Sequence, residues 1–241
     1  MSELILGIDD AGRGPVIGPI VLGGCLLLKE DEQKLKALGV KDSKMLTAAK
    51  REELAEKIKE IAKDYETKIF TAEEINEMMN SKINLNTIEA IAAAQIITRI
   101  RRKNPGKPIK IVLDCPSTNK NAWLTKVREF IEGSARGLAF LCEHKADVNH
   151  VAVSAASILA KVKRDEEIEK LKKEIGMNFG SGYPHDPVTV EFIKKHYHDH
   201  KDKKIFREHW MTLKNILGID TKKQAIDRHR KKEKQKKLFE N

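Results

Sequence analysis

Apolar positions recur along the chain with two different periods. Leu4, Ile5, Leu6 and Ile8 make a short dense run, and Val16 to Leu28 a second one interrupted by glycines. Both predict buried strands, over residues 4–9 and 16–28. Ala48 to Lys63 carries its apolar residues at helical spacing with charges opposite, and Tyr65 to Phe70 alternates as a strand does. Thr71 with Glu74, and Asn86 with Glu89, each place an acid three residues after a capping residue. The stretch from Ile88 to Arg102 then predicts a well-buried helix. Residues 109–114 and 138–147 read as strands around a helix over Asn119 to Ile131, the second strand leaving Asp147 just past its end. An apolar stripe of Val153, Ala156, Ala160, Ile168, Leu171 and Ile175 beside dense charge predicts one long helix. Gly and Pro make residues 180–187 a loop, and Val188 to Tyr197 and His209 to Leu217 read as further helices. There is no internal repeat. The order of elements predicts a mixed α/β sheet followed by a helical C-terminal region.

Composition narrows the class. The chain has 241 residues and is 40% hydrophobic, enough for a buried core. Its longest apolar stretch, Val16 to Leu28, is broken by Gly18, Pro19, Gly23 and Gly24 and is well short of the roughly 18 residues of a membrane span. Glu3, Asp9 and Asp10 stand where a signal peptide would have its basic and apolar regions. No membrane association is expected. Cys25, Cys115 and Cys142 are odd in number and form no C-x-x-C pair, which argues for a reducing cytoplasm and against a zinc site. Of the net charge of +10, residues 221–241 supply +6, from nine basic and three acidic side chains. The rest of the chain is nearly balanced. The basic tail is either a solvated extension or a salt-sensitive contact to a phosphate backbone.

Three of the predicted strands end on acids: Asp9 with Asp10, Asp114, and Asp147. Ligands of open α/β sheets bind beyond strand ends, so four carboxylates are expected to converge. Such a cluster repels itself unless hard cations relieve it, and oxygen-only ligands suit Mg²⁺ or Mn²⁺. Two such ions about 4 Å apart are the arrangement that cleaves phosphodiesters. The alternative for each acid is a turn residue or helix cap.

The segments GIDDAGRGPVIGP (7–19), KDSK (41–44), LDCPSTN (113–119), HKAD (144–147), VSAASILAKVKRD (153–165), GSGYPHDP (180–187) and HWMT (209–212) together resemble the type 2 ribonuclease H family, ribonuclease HII, in its archaeal and eukaryotic form. The resemblance runs in order from residue 4 to about residue 215. It implies a ribonuclease H-like mixed sheet flanked by helices. It also implies an endonuclease that cuts the RNA strand of RNA/DNA hybrids, and the bond 5′ to a ribonucleotide embedded in duplex DNA, leaving 5′-phosphate and 3′-hydroxyl ends. The family's metal-binding acids match Asp9, Asp10, Asp114 and Asp147, which would hold two Mg²⁺ or Mn²⁺ ions with Asp9 bridging them. Gly12, Arg13 and Gly14 match the backbone segment that reads the ribonucleotide 2′-hydroxyl, and Tyr183 matches the tyrosine packed on the following deoxyribose. The pattern departs at Asp10, where the family ordinarily has Glu, a residue one methylene longer.

Further substrate contacts follow less directly. Lys161 and Arg164, three apart on the long helix, are candidates for substrate phosphates, with surface charge as the alternative. Lys41, Ser43 and Lys44 are candidates for holding the DNA strand, or else form a polar turn. Ser154 and Ser157 read as packed small residues, and Trp123 and Trp210 as core aromatics. In the tail, Gln235, Leu238 and Phe239 resemble in order a sliding-clamp-binding peptide, without its closing pair of aromatics. The expected organisation is a catalytic domain over residues 1–175, a helical region over 176–220 packed on it, and a basic tail over 221–241. Nothing in the sequence calls for more than a monomer. Two other readings stay open: a hybrid-binding protein with weak or no catalysis because of Asp10, and another DNA nuclease of the same fold.

Overall fold

The computed structural model describes residues 3–40, 46–133 and 136–219. Lys41, Ser43 and Lys44, and the tail with Gln235, Leu238 and Phe239, lie outside the described residues. A five-stranded sheet forms the centre, built from β1 (Leu4–Ala11), β2 (Ile20–Leu28), β3 (Asp64–Phe70), β4 (Ile109–Asp114) and β5 (Leu138–Glu143) in the order β3-β2-β1-β4-β5. β1 pairs antiparallel with β2 and parallel with β4; β2 pairs antiparallel with β3, and β4 parallel with β5. The sheet is therefore mixed, with β1 in the middle.

Helices flank the sheet: α1 (Glu32–Ala37), α2 (Ala48–Ile61), α3 (Ala72–Asn80), α4 (Leu85–Lys103), α5 (Lys120–Phe130), α6 (Ala146–Asn149) and α7 (Val151–Ile175), while α8 (Pro187–His200) and α9 (Met211–Ile216) pack in a separate core beside it. Side chains alternate across a strand, and β1 divides its residues accordingly. Leu4, Leu6 and Ile8 join the core beneath α4 and α5, whereas Ile5 joins the core beneath α1, α2 and α7. Burial of these apolar faces, at about 25 cal/mol per Å² removed from water, is the main source of stability.

The second strand is shorter than its apolar run. Val16 and Ile17 are fully buried yet lie in the turn before β2, because their side chains enter a third core made with Ile168, Phe179, Phe192, Ile205, Phe206 and Leu213. Apolarity there signals packing against the C-terminal helices rather than strand pairing. The cap of α4 also differs from expectation. Asn84 accepts the N–H of Thr87, and Asn86 lies inside the helix. The other signal holds, with Thr71 and Glu74 forming a reciprocal capping box on α3. Along α7 the stripe is confined to the second half; every residue from Val151 to Ala160 is buried, as expected of a helix enclosed on all sides.

That enclosure depends on glycine. A Cβ built on Gly7 would sit within the backbone of Ala152, and one on Gly23 within the carbonyl of Ala156. α7 thus lies directly on β1 and β2 where both lack side chains. Gly7→Ala must push the helix off the sheet. It should lower unfolding free energy by about 1–3 kcal/mol or more, read as a lower urea midpoint with an unchanged m-value.

Candidate active site

The site forms where β1 ends. Asp9 and Asp10 are successive residues of one strand, so their side chains leave opposite faces of the sheet. Asp9 points to the α7 side and accepts a hydrogen bond from the Ser157 hydroxyl as well as from the backbone N–H of Asp10 at 2.8 Å. Asp10 faces α4, where Glu89 is its strongest charged neighbour. Burial, then the charges of Asp10 and Asp114, push the Asp9 carboxyl up to about 8. Burial and Glu89 push Asp10 up to about 7, with Arg13 and Arg207 pulling against them. Two carboxyls that hold their protons near neutral pH mark a place where negative charge is poorly compensated by the protein itself.

Asp114 ends β4, the parallel neighbour of β1, and acts on both Asp9 and Asp10. Its Oδ1 accepts the Ala146 N–H at 2.7 Å. That bond ties the first residue of α6 to the end of β4, and Asp147 is the next residue. Asp147 therefore sits on a short helix rather than in an open loop, reached through a left-handed Lys145 at φ 58. The Ser154 hydroxyl donates to the Asp147 carbonyl, fixing α6 against α7. The four acids thus belong to one end of the sheet. As they stand, no three His, Cys, Asp or Glu side chains among the described residues form a group that could hold a metal ion.

Beside the acids runs the turn from Gly12 to Pro19. Gly12 has φ +88, and a Cβ there would meet the Pro19 carbonyl at 2.7 Å, so the position suits glycine on two counts. Gly14 is exposed and faces the Tyr183 ring, 3.7 Å from the position of a Cβ. The Arg13 guanidinium pairs with Glu89 and donates to Asn86 Oδ1 at 2.8 Å. Glu89 is buried, and burial raises its carboxyl while Arg13 lowers it. Trp123 supports the same corner from α5, donating its indole N–H to the Asn86 carbonyl at 2.9 Å.

Tyr183 is held from beneath. The Arg164 guanidinium lies 4.8 Å from the centre of its ring and donates to the Ser181 carbonyl. Asp186 accepts from the Ser181 N–H and hydroxyl at 2.6 and 2.7 Å and caps α8 through the Val188 N–H at 3.0 Å. These bonds hold its carboxyl down at about 2. Arg164, a candidate for a substrate phosphate with surface charge as the alternative, is buried, and its guanidinium braces the tyrosine loop. Lys161, one turn earlier, is half-buried.

Glu89, Asn86, Arg207 and the hydrogen-bonding role of Ser157 were not among the expected site residues. One signal was available for Glu89, a lone acid inside the otherwise apolar stretch IEAIAAA. No local signal marks Arg207, whose partners are almost two hundred residues away.

The chain is similar to known proteins over most of its length. Residues 6–213 match the family model described as Ribonuclease HII. A Ribonuclease HII of Methanocaldococcus jannaschii is 44% identical over 221 residues, covering 89% of this chain and 95% of that protein. Among solved structures, the ribonuclease H2 of Pyrococcus horikoshii superposes with a TM-score of 0.76 at 38% identity, covering 89% of this chain and 97% of the other. The PCNA:RNase HII complex of Archaeoglobus fulgidus gives 0.74 at 39% identity, with 86% and 95% covered. With the matched segment spanning both the acids and the Tyr183 loop, the chain belongs to the ribonuclease HII family.

Proposed function

We propose that Asp9, Asp10, Asp114 and Asp147 are the catalytic acids of an endonuclease that hydrolyses the RNA strand of RNA/DNA hybrids and cuts 5′ of ribonucleotides embedded in duplex DNA. The observation that carries this reading is the pair of adjacent acids on β1, Asp9 buried and Asp10 half-buried, both with raised carboxyls, both acted on by the charge of Asp114 and beside a glycine turn. An oxygen-only donor set with excess negative charge fits hard divalent cations, so these four residues would hold two Mg²⁺ or Mn²⁺ ions. Bound there, the ions supply charge neutralisation and activation of the attacking water. Hydrolysis leaves 5′-phosphate and 3′-hydroxyl ends and needs no covalent intermediate.

The chain's own groups set the rest. Ser157 and the Asp10 N–H orient Asp9, and the Ala146 N–H orients Asp114. The backbone of Gly12, Arg13 and Gly14 would read the ribose 2′-hydroxyl, for which an exposed glycine allows close approach. Tyr183, fixed from below by Arg164, would pack on the adjoining deoxyribose. Lys161, together with Lys41, Ser43 and Lys44 outside the described residues, would contact phosphates, which position a duplex without reading its sequence. Arg164 contributes by holding Tyr183.

Residues 1–175 form the catalytic domain in this reading, and residues 176–220 a region docked on it. The tail, 221–241, would contact a sliding clamp; the related Archaeoglobus fulgidus protein is known in a PCNA:RNase HII complex. We place the protein, as a monomer, in the cytoplasm, where its three unpaired cysteines stay reduced. Among the described residues no helix is long and apolar enough to cross a membrane.

A duplex with one ribonucleotide should be cut in Mg²⁺ or Mn²⁺ while an all-DNA duplex is not; binding without cleavage in both ions would instead indicate a hybrid-binding protein. Asp9→Asn should reduce kcat by on the order of 10²-fold or more, and Asp10→Glu should preserve or raise it, both read on that substrate.

A raised carboxyl pKa gives the folded state protons that the unfolded chain releases at ordinary values. Without divalent cations, the contribution of Asp9 and Asp10 is therefore full below about pH 4 and is lost as pH rises through about 7 to 8. Thermal unfolding in a chelator should show Tm falling over that range, with a shallower fall in Asp9→Asn, and added Mg²⁺ should restore Tm at pH 8 in the parent. Deleting residues 221–241 should abolish clamp binding measured by calorimetry while leaving cleavage of short duplexes intact.

A further inference from the structure

Arg207 carries a charge and is fully buried. Its Nε donates to the Gly18 carbonyl at 2.9 Å and its Nη1 to the Arg13 carbonyl at 3.2 Å. Its own N–H donates to the Val16 carbonyl at 2.9 Å, Gly18 N–H donates to the Ile205 carbonyl at 2.9 Å, and Ile17 pairs with Phe206 in an isolated antiparallel bridge. The guanidinium rests 5.0 Å from the centre of the Trp210 ring, and Nη2 has no hydrogen-bond partner among the described residues.

The backbone bonds alone would dock residues 205–207 on the turn between β1 and β2. A buried cation is expensive to keep, and this one is placed so that its fork spans two carbonyls of the turn. One of them belongs to Arg13, whose side chain is held from the other side by Glu89 and Asn86 of α4. A peptide unit is planar. Holding the Arg13 carbonyl therefore fixes the orientation of the N–H on the opposite edge of the same peptide, which is that of Gly14.

We propose that Arg207 is a positioning residue for ribose selection: by gripping the Arg13 carbonyl it sets the Arg13–Gly14 peptide plane and so the direction of the Gly14 N–H. This rests on the reading that the Gly12–Gly14 backbone contacts the 2′-hydroxyl. Asp10, Glu89 and Tyr183 all favour the charged guanidinium, opposing burial and Arg164, so the grip is exerted by a cation held among site residues.

The experiment is Arg207→Lys, which keeps the charge but lacks the planar fork that spans both carbonyls. Binding by fluorescence anisotropy in a chelator is compared for a duplex with one ribonucleotide and the all-deoxy duplex of the same sequence. Steady-state kinetics in Mg²⁺ and urea unfolding accompany it. The ratio of the two affinities should fall about tenfold, with KM rising more than kcat falls. A parent-like ratio in folded Arg207→Lys overturns the proposal, even if the urea midpoint drops, because the side chain then only fastens the C-terminal segment. If the parent itself binds both duplexes equally, the 2′-hydroxyl reading fails and the proposal with it. Should Arg207→Lys not fold, the ratio is read on Trp210→Leu, which removes the ring beneath the guanidinium; a smaller fall supports the proposal and an unchanged ratio overturns it.

Discussion

Two neighbouring carboxylates in the central strand of a sheet covered on both faces cannot share one environment. Strand geometry sends Asp9 toward α7 and Asp10 toward α4, so each acid is met by a different half of the protein. Desolvation raises the cost of charge on both. Much of the surrounding architecture answers that cost. α7 lies close enough for Ser157 to reach Asp9 only because Gly7 and Gly23 leave no side chains between helix and sheet. On the other face, the charges nearest Asp10 alternate in sign, with Glu89 and Asp114 opposed by Arg13 and Arg207.

The same constraint explains why the C-terminal region is integral to the site. The turn after the acids has glycines at positions 12, 14 and 18 and would have wide conformational freedom by itself. Its apolar residues, Val16 and Ile17, are buried among Phe179, Phe192 and Phe206, and its carbonyls are held by Arg207. Tyr183 comes from the loop that hydrogen-bonds Val16 through the Gly182 carbonyl at 2.8 Å. Acids, glycine turn and tyrosine thus form one connected unit, although they come from distant parts of the chain.

Much of this was legible in the sequence, where local pattern and final environment coincide. β3, β4 and β5, and the helices α2, α4, α5 and α7, follow from apolar periodicity because each buries one face or is enclosed. The strand-terminal acids follow from position alone. What local pattern could not show is which long-range partner a residue meets. Val16 and Ile17 looked like strand because a buried turn is as apolar as a buried strand. Asn86 looked like a cap because it stands three residues before an acid, yet Asn84 takes that role and leaves Asn86 and Glu89 to Arg13. Arg164 was a candidate for a substrate phosphate, with surface charge as the alternative, because its helix is densely charged; the local pattern does not show the docking of the 180–187 loop against it.

The departure at Asp10 can be understood from its surroundings. A carboxylate here stands between a buried acid, Glu89, and two arginines that belong to the turn and its clasp. Its charge is favoured by proximity to Arg13 and Arg207 and opposed by Glu89 and Asp114. A side chain one methylene longer changes its distances to all four at once, so the length of the acid at position 10 and the grip on the turn are not independent variables. The shorter residue keeps the charge nearer the backbone of β1, on the same chain segment that leads into Arg13. The pairing of Arg13 with Glu89 therefore shapes the surroundings of the acid at position 10 as much as that acid's own reach does, and α4 supplies those surroundings as well as covering the sheet.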